Sequence, residues 1–167
     1  MEIVLHQPEI PSNTGNIGRT CVATGSGLHI IEPTGFILND KYLRRAGMDY
    51  WDHLRLTRYI NYEDFLARNP GATVWYATTK AHQCYTDVHY GLHDFIMFGK
   101  ESAGIPEDIL VENEDHCIRI PMGPDIRSLN LANSVAIVLY EALRQQGFHG
   151  LEEYGNLHHL KWKEKDS

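Results

Sequence analysis

Six short runs of this chain read as strands, and all but Leu54–Arg58 are largely apolar from end to end instead of alternating apolar with polar residues: Glu2–His6, Leu28–Glu32, Leu54–Arg58, Thr73–Ala77, Asp94–Phe98 and Cys117–Ile120. A strand with one wet face alternates, whereas a strand covered on both faces has no reason to. Helix signals stand between the runs. Asn13 or Thr14 is placed to cap a helix over residues 15–24, with Gly25 as its terminator, and Asn39 to cap one carrying Lys41, Arg44 and Arg45. Asn61 is placed to cap a helix over residues 62–68, closed by Asn-Pro-Gly, and Pro106 suits the first turn of a helix running to Asn113. The longest helix is expected over residues 130–146, ended by Gly147. The expected fold is α/β: a mostly parallel sheet with helices on both faces.

A chain of 167 residues is long enough to bury about 70% of its unfolded surface in one domain. No apolar run reaches membrane-spanning length and the N-terminus has no signal-peptide pattern, so a cytoplasmic protein with no membrane partner is expected. Cys21, Cys84 and Cys117 are scattered and form no C-x-x-C pair, and the ten histidines contain no H-E-x-x-H, so neither a disulfide framework nor a metal is expected. After Gly150 the composition turns polar. Residues 1–150 are read as the single domain and residues 151–167 as a polar tail.

The net charge of −7 argues against a nucleic-acid binder until its distribution is followed. The whole acidic excess lies in residues 61–118. Lys41, Arg44, Arg45, Arg55 and Arg58 fall within 18 positions that hold only two acids, Asp49 and Asp52. Charge acts locally, within a Debye length of about 10 Å, so a basic face on an acidic protein is open alongside a plain solvated helix face.

Three stretches are candidates for chemistry. Asn13 to Arg19 places G-x-x-G at a helix start, which is a poor match to a dinucleotide fingerprint; Glu32 is the one acid that could be proposed for a ribose. Gly99 to Gly104 has P-loop spacing, but Ile105 and Pro106 stand where Lys and Ser/Thr would be required, which rejects nucleotide triphosphate hydrolysis. The two glycines remain able to let backbone approach a flat ligand, with Glu101 beside them. The third stretch runs from Cys117 to Gln146, a strand, a Pro/Gly-rich bend and a long helix. Its bend gathers Asp125, Arg127, Ser128 and Asn130, where an open α/β sheet places its ligand; capping the helix is the other role open to Ser128 and Asn130.

Taken together, N-T-G-N-I-x-R, F-G-x-E-x-x-G and I-P-M-x(5)-S-L-N-x(5)-A resemble, in order, the three motifs of the SPOUT superfamily of AdoMet-dependent RNA methyltransferases, in its 2′-O-ribose branch. L-H-I-I-E-P-x-G-F, K-x-L-R-R-A-G-M-D-Y and A-T-T-K extend the resemblance over residues 1–150. It points to the compact type that methylates the wobble ribose, on cytidine or 5-carboxymethylaminomethyl-uridine, in the tRNA anticodon loop. The resemblance implies a C-terminal deep trefoil knot, a feature that sequence patterning could not reveal because knots are nearly absent elsewhere. It also implies a homodimer whose subunits complete each other's sites, with no DNA partner and no metal.

By resemblance, S-adenosyl-L-methionine contacts Ala77 with the Thr78-Thr79 turn, Gly99, Ile120, Met122, Ser128 and Leu129, and backbone groups around Ile120 read its adenine edge. Arg19 is the implied catalytic arginine. A guanidinium, with pKa above about 12, is better suited to clamping phosphate and stabilising oxyanion charge than to accepting a proton. Ser128 and Asn130 are implied to hydrogen-bond the 2′-hydroxyl or hold Arg19, and Glu101 to orient loops through backbone N–H groups. Lys41, Arg44 and Arg45 are the implied RNA contacts, followed by Arg55, Lys80 and Arg144. Tyr140 and Glu141 fall on the helix implied to form the dimer interface. Two positions depart from the family pattern: Gly18 replaces an aliphatic residue, loosening the helix beside Arg19, and Lys100 replaces Pro or Ser. Alternatives are 2′-O-methylation of another RNA and an AdoMet- or RNA-binding module without catalysis.

Overall fold

The computed structural model describes residues 1–37 and 49–163. Six strands, β1 (Glu2–His6), β2 (Gly27–Ile31), β3 (Leu56–Tyr59), β4 (Val74–Ala77), β5 (Phe95–Phe98) and β6 (Cys117–Ile118), form one sheet in the order β3-β2-β1-β5-β4-β6. Every strand pair is parallel. Among the described residues four α-helices accompany them: α1 (Pro11–Thr24), α2 (Tyr62–Arg68), α3 (Glu107–Glu112) and α4 (Leu131–Gln145).

The sheet has two cores, which is why its strands do not alternate. Ile3 and Leu5 of β1, Leu28 and Ile30 of β2, and Ile96 and Phe98 of β5 pack on one side with Ile17 and Cys21 of α1 and Val135, Val138, Leu139 and Ala142 of α4. Val4, Ile31 and Met97 point the other way, against Phe65 of α2 and Ile109 and Leu110 of α3. Cys21 and Cys117 are free and buried, packed as small core residues.

Local signals held where the partner was near in sequence. Asn61 caps α2 through Asp64 N–H at 2.8 Å, and Asn130 caps α4 through Ala132 N–H and Asn133 N–H. Three expectations need correcting. Helix α1 starts at Pro11 rather than Gly15, with Ile10 at its N-cap and no side-chain cap; Asn13 and Thr14 are buried inside its first turns, since Pro11 supplies the first-turn geometry. Strand β3 begins at Leu56, because Leu54 packs partly buried against the α1 and α4 core. Strand β6 ends at Ile118, and Arg119 continues only as a bridge to Cys84.

That bridge belongs to a larger embrace. Residues 78–94, between β4 and β5, hold both the segment after β6 and the last helix: Arg119 exchanges backbone bonds with Gln83 and Tyr85, while Gln145 of α4 donates to the Val88 carbonyl and accepts from Tyr90 N–H. The chain thereby brings α4 back to the centre of the sheet, beside α1 and β5. No helix among the described residues is long and apolar enough to cross a membrane.

At the opposite end of the strands, Glu2 accepts from His29 Nε2 at 2.9 Å and from Arg55 at 3.3 Å, and His29 Nδ1 meets the Tyr59 hydroxyl at 2.9 Å. Burial pushes the Glu2 carboxyl up, but the His29 hydrogen bond, Arg55 and the N-terminal ammonium outweigh it and hold the group below its ordinary value of 4.5. A depressed carboxyl contributes stability that is full above the unfolded value and is lost as pH falls through the folded one. Glu2→Gln is therefore expected to cost about 1–2 kcal/mol in urea unfolding at pH 7 and to lose that deficit as the pH drops below 4.5. A deficit unchanged by acid would contradict this ion-pair account.

Candidate active site

A cleft of about 500 Å³ opens beyond the carboxyl ends of β4, β5 and β6, where Ala77, Phe98 and Ile118 line its floor. This is the rim at which an open parallel sheet takes ligands. Three loops wall it: residues 78–80 after β4, residues 99–105 after β5, and residues 120–130 ahead of α4. Ala77, Gly99, Ile120, Met122, Ser128 and Leu129 all face it, as does Asn130.

The loop after β5 closes on itself. Lys100 and Gly104 form a bridge, with Gly104 N–H donating to the Lys100 carbonyl at 2.8 Å, and Gly104 takes φ +73, a conformation that favours glycine. A Cβ on Gly99 would lie 2.0 Å from the Gly104 carbonyl carbon and 2.1 Å from Ile105 N. The two glycines therefore serve the loop's own close approach as much as that of a ligand.

Glu101 locks this loop to the start of α1. Its carboxylate accepts from Glu9 N–H at 2.8 Å, Ile10 N–H at 3.2 Å and Asn13 Nδ2 at 2.9 Å. Glu9 returns the contact, accepting from the Ser102 N–H and hydroxyl, both at 2.8 Å. Those two bonds hold the Glu9 carboxyl below its ordinary range. Asn13 Oδ1 then accepts from Asn130 Nδ2 at 3.0 Å. One network thus ties all three motifs: α1 through Asn13, the β5 loop through Glu101, and the α4 cap through Asn130. Sequence reasoning assigned Glu101 a loop-orienting role but missed Glu9 and the side chain of Asn13. The flanking Pro8 and Pro11 were the available signal, since they stiffen the turn that presents its N–H groups.

Charge at the mouth is mainly positive. Lys80, Lys100 and Arg127 line the cleft; Lys80 pairs with Glu107 at 2.7 Å, and the Arg119 guanidinium donates to the Thr79 carbonyl. At the end of β1, burial and then the neighbouring Lys100 push the His6 imidazole below its ordinary value of 6.5.

Other proposed residues lie outside the cleft or are engaged by other partners. Arg19 is exposed and does not line the cleft; its guanidinium stands 5.1 Å from the centre of the Tyr50 ring. Asn130 spends its amide on Asn13 and on the first turn of α4. Arg55 pairs with Glu2, Arg144 with Glu141, and Glu32 with Arg58 at the sheet's β2–β3 side rather than in the cleft. Lys41, Arg44 and Arg45 lie outside the described residues. His89 and His93 stand at H-x-x-x-H spacing, and no group of three or more metal-ligating side chains occurs among the described residues.

Comparison with known proteins agrees with this geometry. The pattern of the SpoU rRNA Methylase family matches residues 1–140. A tRNA (cytidine(34)-2′-O)-methyltransferase of Escherichia coli is 48% identical over 151 residues, covering 90% of this chain and 96% of that protein. A solved structure concerned with 2′-OH methylation of C/U34 on tRNA is 41% identical, with a TM-score of 0.82 and coverage of 87% of this chain and 95% of that one. An AdoMet-bound rRNA methyltransferase from Sinorhizobium meliloti is 29% identical, with a TM-score of 0.74 over 86% of this chain and 55% of its own.

Proposed function

The chain belongs to the SpoU rRNA Methylase family, and we propose that it methylates transfer RNA, moving a methyl group from S-adenosyl-L-methionine to the ribose 2′-hydroxyl of nucleotide 34, the wobble position. The observation that carries the reading is the cleft itself, where three loops distant in sequence converge on one nucleoside-sized space. The residues present fit an adenosyl cofactor: Ile120, Met122 and Leu129 offer apolar walls, Ser128 a hydroxyl, and the surrounding bend exposed backbone groups. When bound, the cofactor supplies an electrophilic methyl on a positively charged sulfur.

The chain's own task is placement. Holding a ribose hydroxyl in line with the methyl supplies a large share of such a rate enhancement, and the Glu101 network fixes the walls that do so. Arg19 clamps a phosphate and stabilises charge developing on the ribose oxygen. Because Arg19 lies outside its own subunit's cleft, the site is completed by a second copy. Asn16, Arg19 and Ala23 form one exposed stripe on α1; Ile137, Tyr140 and Arg144 form another on α4, the helix packed beside it. Exposed Ile137 and Tyr140 suit burial in a homodimer, and pairing there offers Arg19 a route into the neighbouring cleft. Lys41, Arg44 and Arg45 are the proposed contacts to the anticodon-loop backbone, and a cytoplasmic site of action follows from the substrate. The active unit is residues 1–150, with the tail 151–167 outside it.

Titration calorimetry is expected to detect AdoMet binding, and labelled methyl is expected to pass to bulk tRNA. AdoMet that gives no heat, or label that goes only to other RNA, would contradict the reading.

A further inference from the structure

Arg19 is a long, exposed side chain on a helix, and such a side chain has no fixed direction unless something holds it. What stands beside it is the short 3₁₀ turn Asp49–His53. Tyr50 anchors that turn to α1 by donating its hydroxyl to the Gly15 carbonyl at 2.5 Å. The same ring lies under the Arg19 guanidinium, 5.1 Å from its centre, within the range of a cation–π contact.

The next residue secures the turn. Trp51 is buried, and a Cβ placed on Gly18 would meet its Cζ3 at 3.2 Å and Leu54 Cδ2 at 3.3 Å. The bare backbone of Gly18 is therefore the seat of the indole. Read from sequence alone, glycine at this position looked like a loosening of the helix beside Arg19. In the fold it has the opposite effect: the missing side chain admits Trp51, and Trp51 brings Tyr50 to Arg19.

We propose that Tyr50 is a positioning residue for Arg19, a ring shelf that sets the direction of the guanidinium, with Gly18 and Trp51 as its mount. The proposal rests on the role given to Arg19 above. It goes beyond that role by assigning the orientation of the guanidinium to a residue that does not line the cleft.

The test is a mutant cycle read as kcat and KM for tRNA methylation by the full chain, with AdoMet affinity and thermal midpoint measured on each variant. Tyr50→Leu is expected to lower kcat about tenfold while AdoMet affinity holds, because a clamp displaced by a fraction of an ångström loses rate rather than cofactor binding; its midpoint falls, as that of Tyr50→Phe does, since both lack the bond to Gly15. Tyr50→Phe keeps the ring and is expected to stay within about threefold of the parent, its loss coming from the missing bond to Gly15. In an Arg19→Ala background, Tyr50→Leu is expected to cost nothing further. Should Tyr50→Leu fail to fold, Tyr50→Met, closer in length to the native side chain, takes its place in the cycle. The proposal is overturned if Tyr50→Leu, folded, matches the parent, or if it costs the same factor with and without Arg19. An Arg19→Ala protein of full activity would overturn the parent reading as well, whereas an inactive Arg19→Ala beside a fully active Tyr50→Leu would sink this inference alone.

Discussion

Gly99→Ala is expected to be the most damaging glycine-to-alanine change among the described residues. Its Cβ would sit 2.0 Å from the Gly104 carbonyl carbon, 2.1 Å from Ile105 N and 2.5 Å from Gly104 Cα. All three are backbone atoms, so no side chain can swing away. The loop after β5 must retreat by about 1 Å to restore ordinary contact, and overpacking of that kind costs on the order of 3 kcal/mol. The loop is also a cleft wall, so the displacement reaches function: AdoMet affinity should fall, and the methyl-transfer rate should fall by about a hundredfold, the scale on which an ångström of misplacement registers. Gly123→Ala is the control. Gly123 lies in the bend ahead of α4, but a Cβ there meets nothing within 4 Å, and its thermal midpoint should match the parent. Calorimetric titration and a thermal melt of both variants decide the matter; a Gly99→Ala protein that binds AdoMet normally would show that the loop is slack.

Glu101→Ala should produce the second largest effect. It removes one acceptor group and leaves three donors behind, Glu9 N–H, Ile10 N–H and Asn13 Nδ2. An orphaned donor costs about 1–3 kcal/mol when buried and less where water can reach it, and these are part-buried or exposed, so a total near 3 kcal/mol is expected. For a chain of this size that is a fall of roughly 9 °C in midpoint. Function should suffer more than stability implies, because the lost bonds are those that hold the β5 loop to α1. Glu101→Gln keeps the shape and one carbonyl oxygen, and should recover about half of the loss. Circular dichroism melts with parallel AdoMet titrations would check both numbers. Equal, small shifts for the two variants would mean that the carboxylate is not the lock.

These two residues also mark how far the sequence could be read. The strands were legible because a sheet covered on both faces writes continuous apolar runs, and β1 could be bounded without coordinates. The Asn61 cap was legible because its acceptor and donor are three residues apart. Asn13 was misassigned as a cap for the converse reason. Its partners, Glu101 and Asn130, are 88 and 117 positions away, and no local pattern reports a pairing of that reach. Strand order was hidden in the same way: β5 lies next to β1, with β4 outside it, and residues 78–94 carry the chain back along the face that holds α1 and α4, where Val88 and Tyr90 are buried. Motif order named the candidates for the cleft, and the fold brought most of them to one place. It left Arg19 on an outer face beside Tyr50, which the sequence shows only as the last residue of K-x-L-R-R-A-G-M-D-Y.

The site as a whole claims to act on one hydroxyl of one nucleotide. The direct measurement is to incubate the protein with isotopically labelled AdoMet and unmodified tRNA, then to digest the RNA by nuclease and by alkali and locate the label by mass spectrometry. A 2′-O-methyl group removes the hydroxyl that alkali needs, so the expected result is label on the ribose of nucleotide 34 together with an alkali-resistant bond on its 3′ side. Label on a base, or on the ribose of any other nucleotide, would contradict the account.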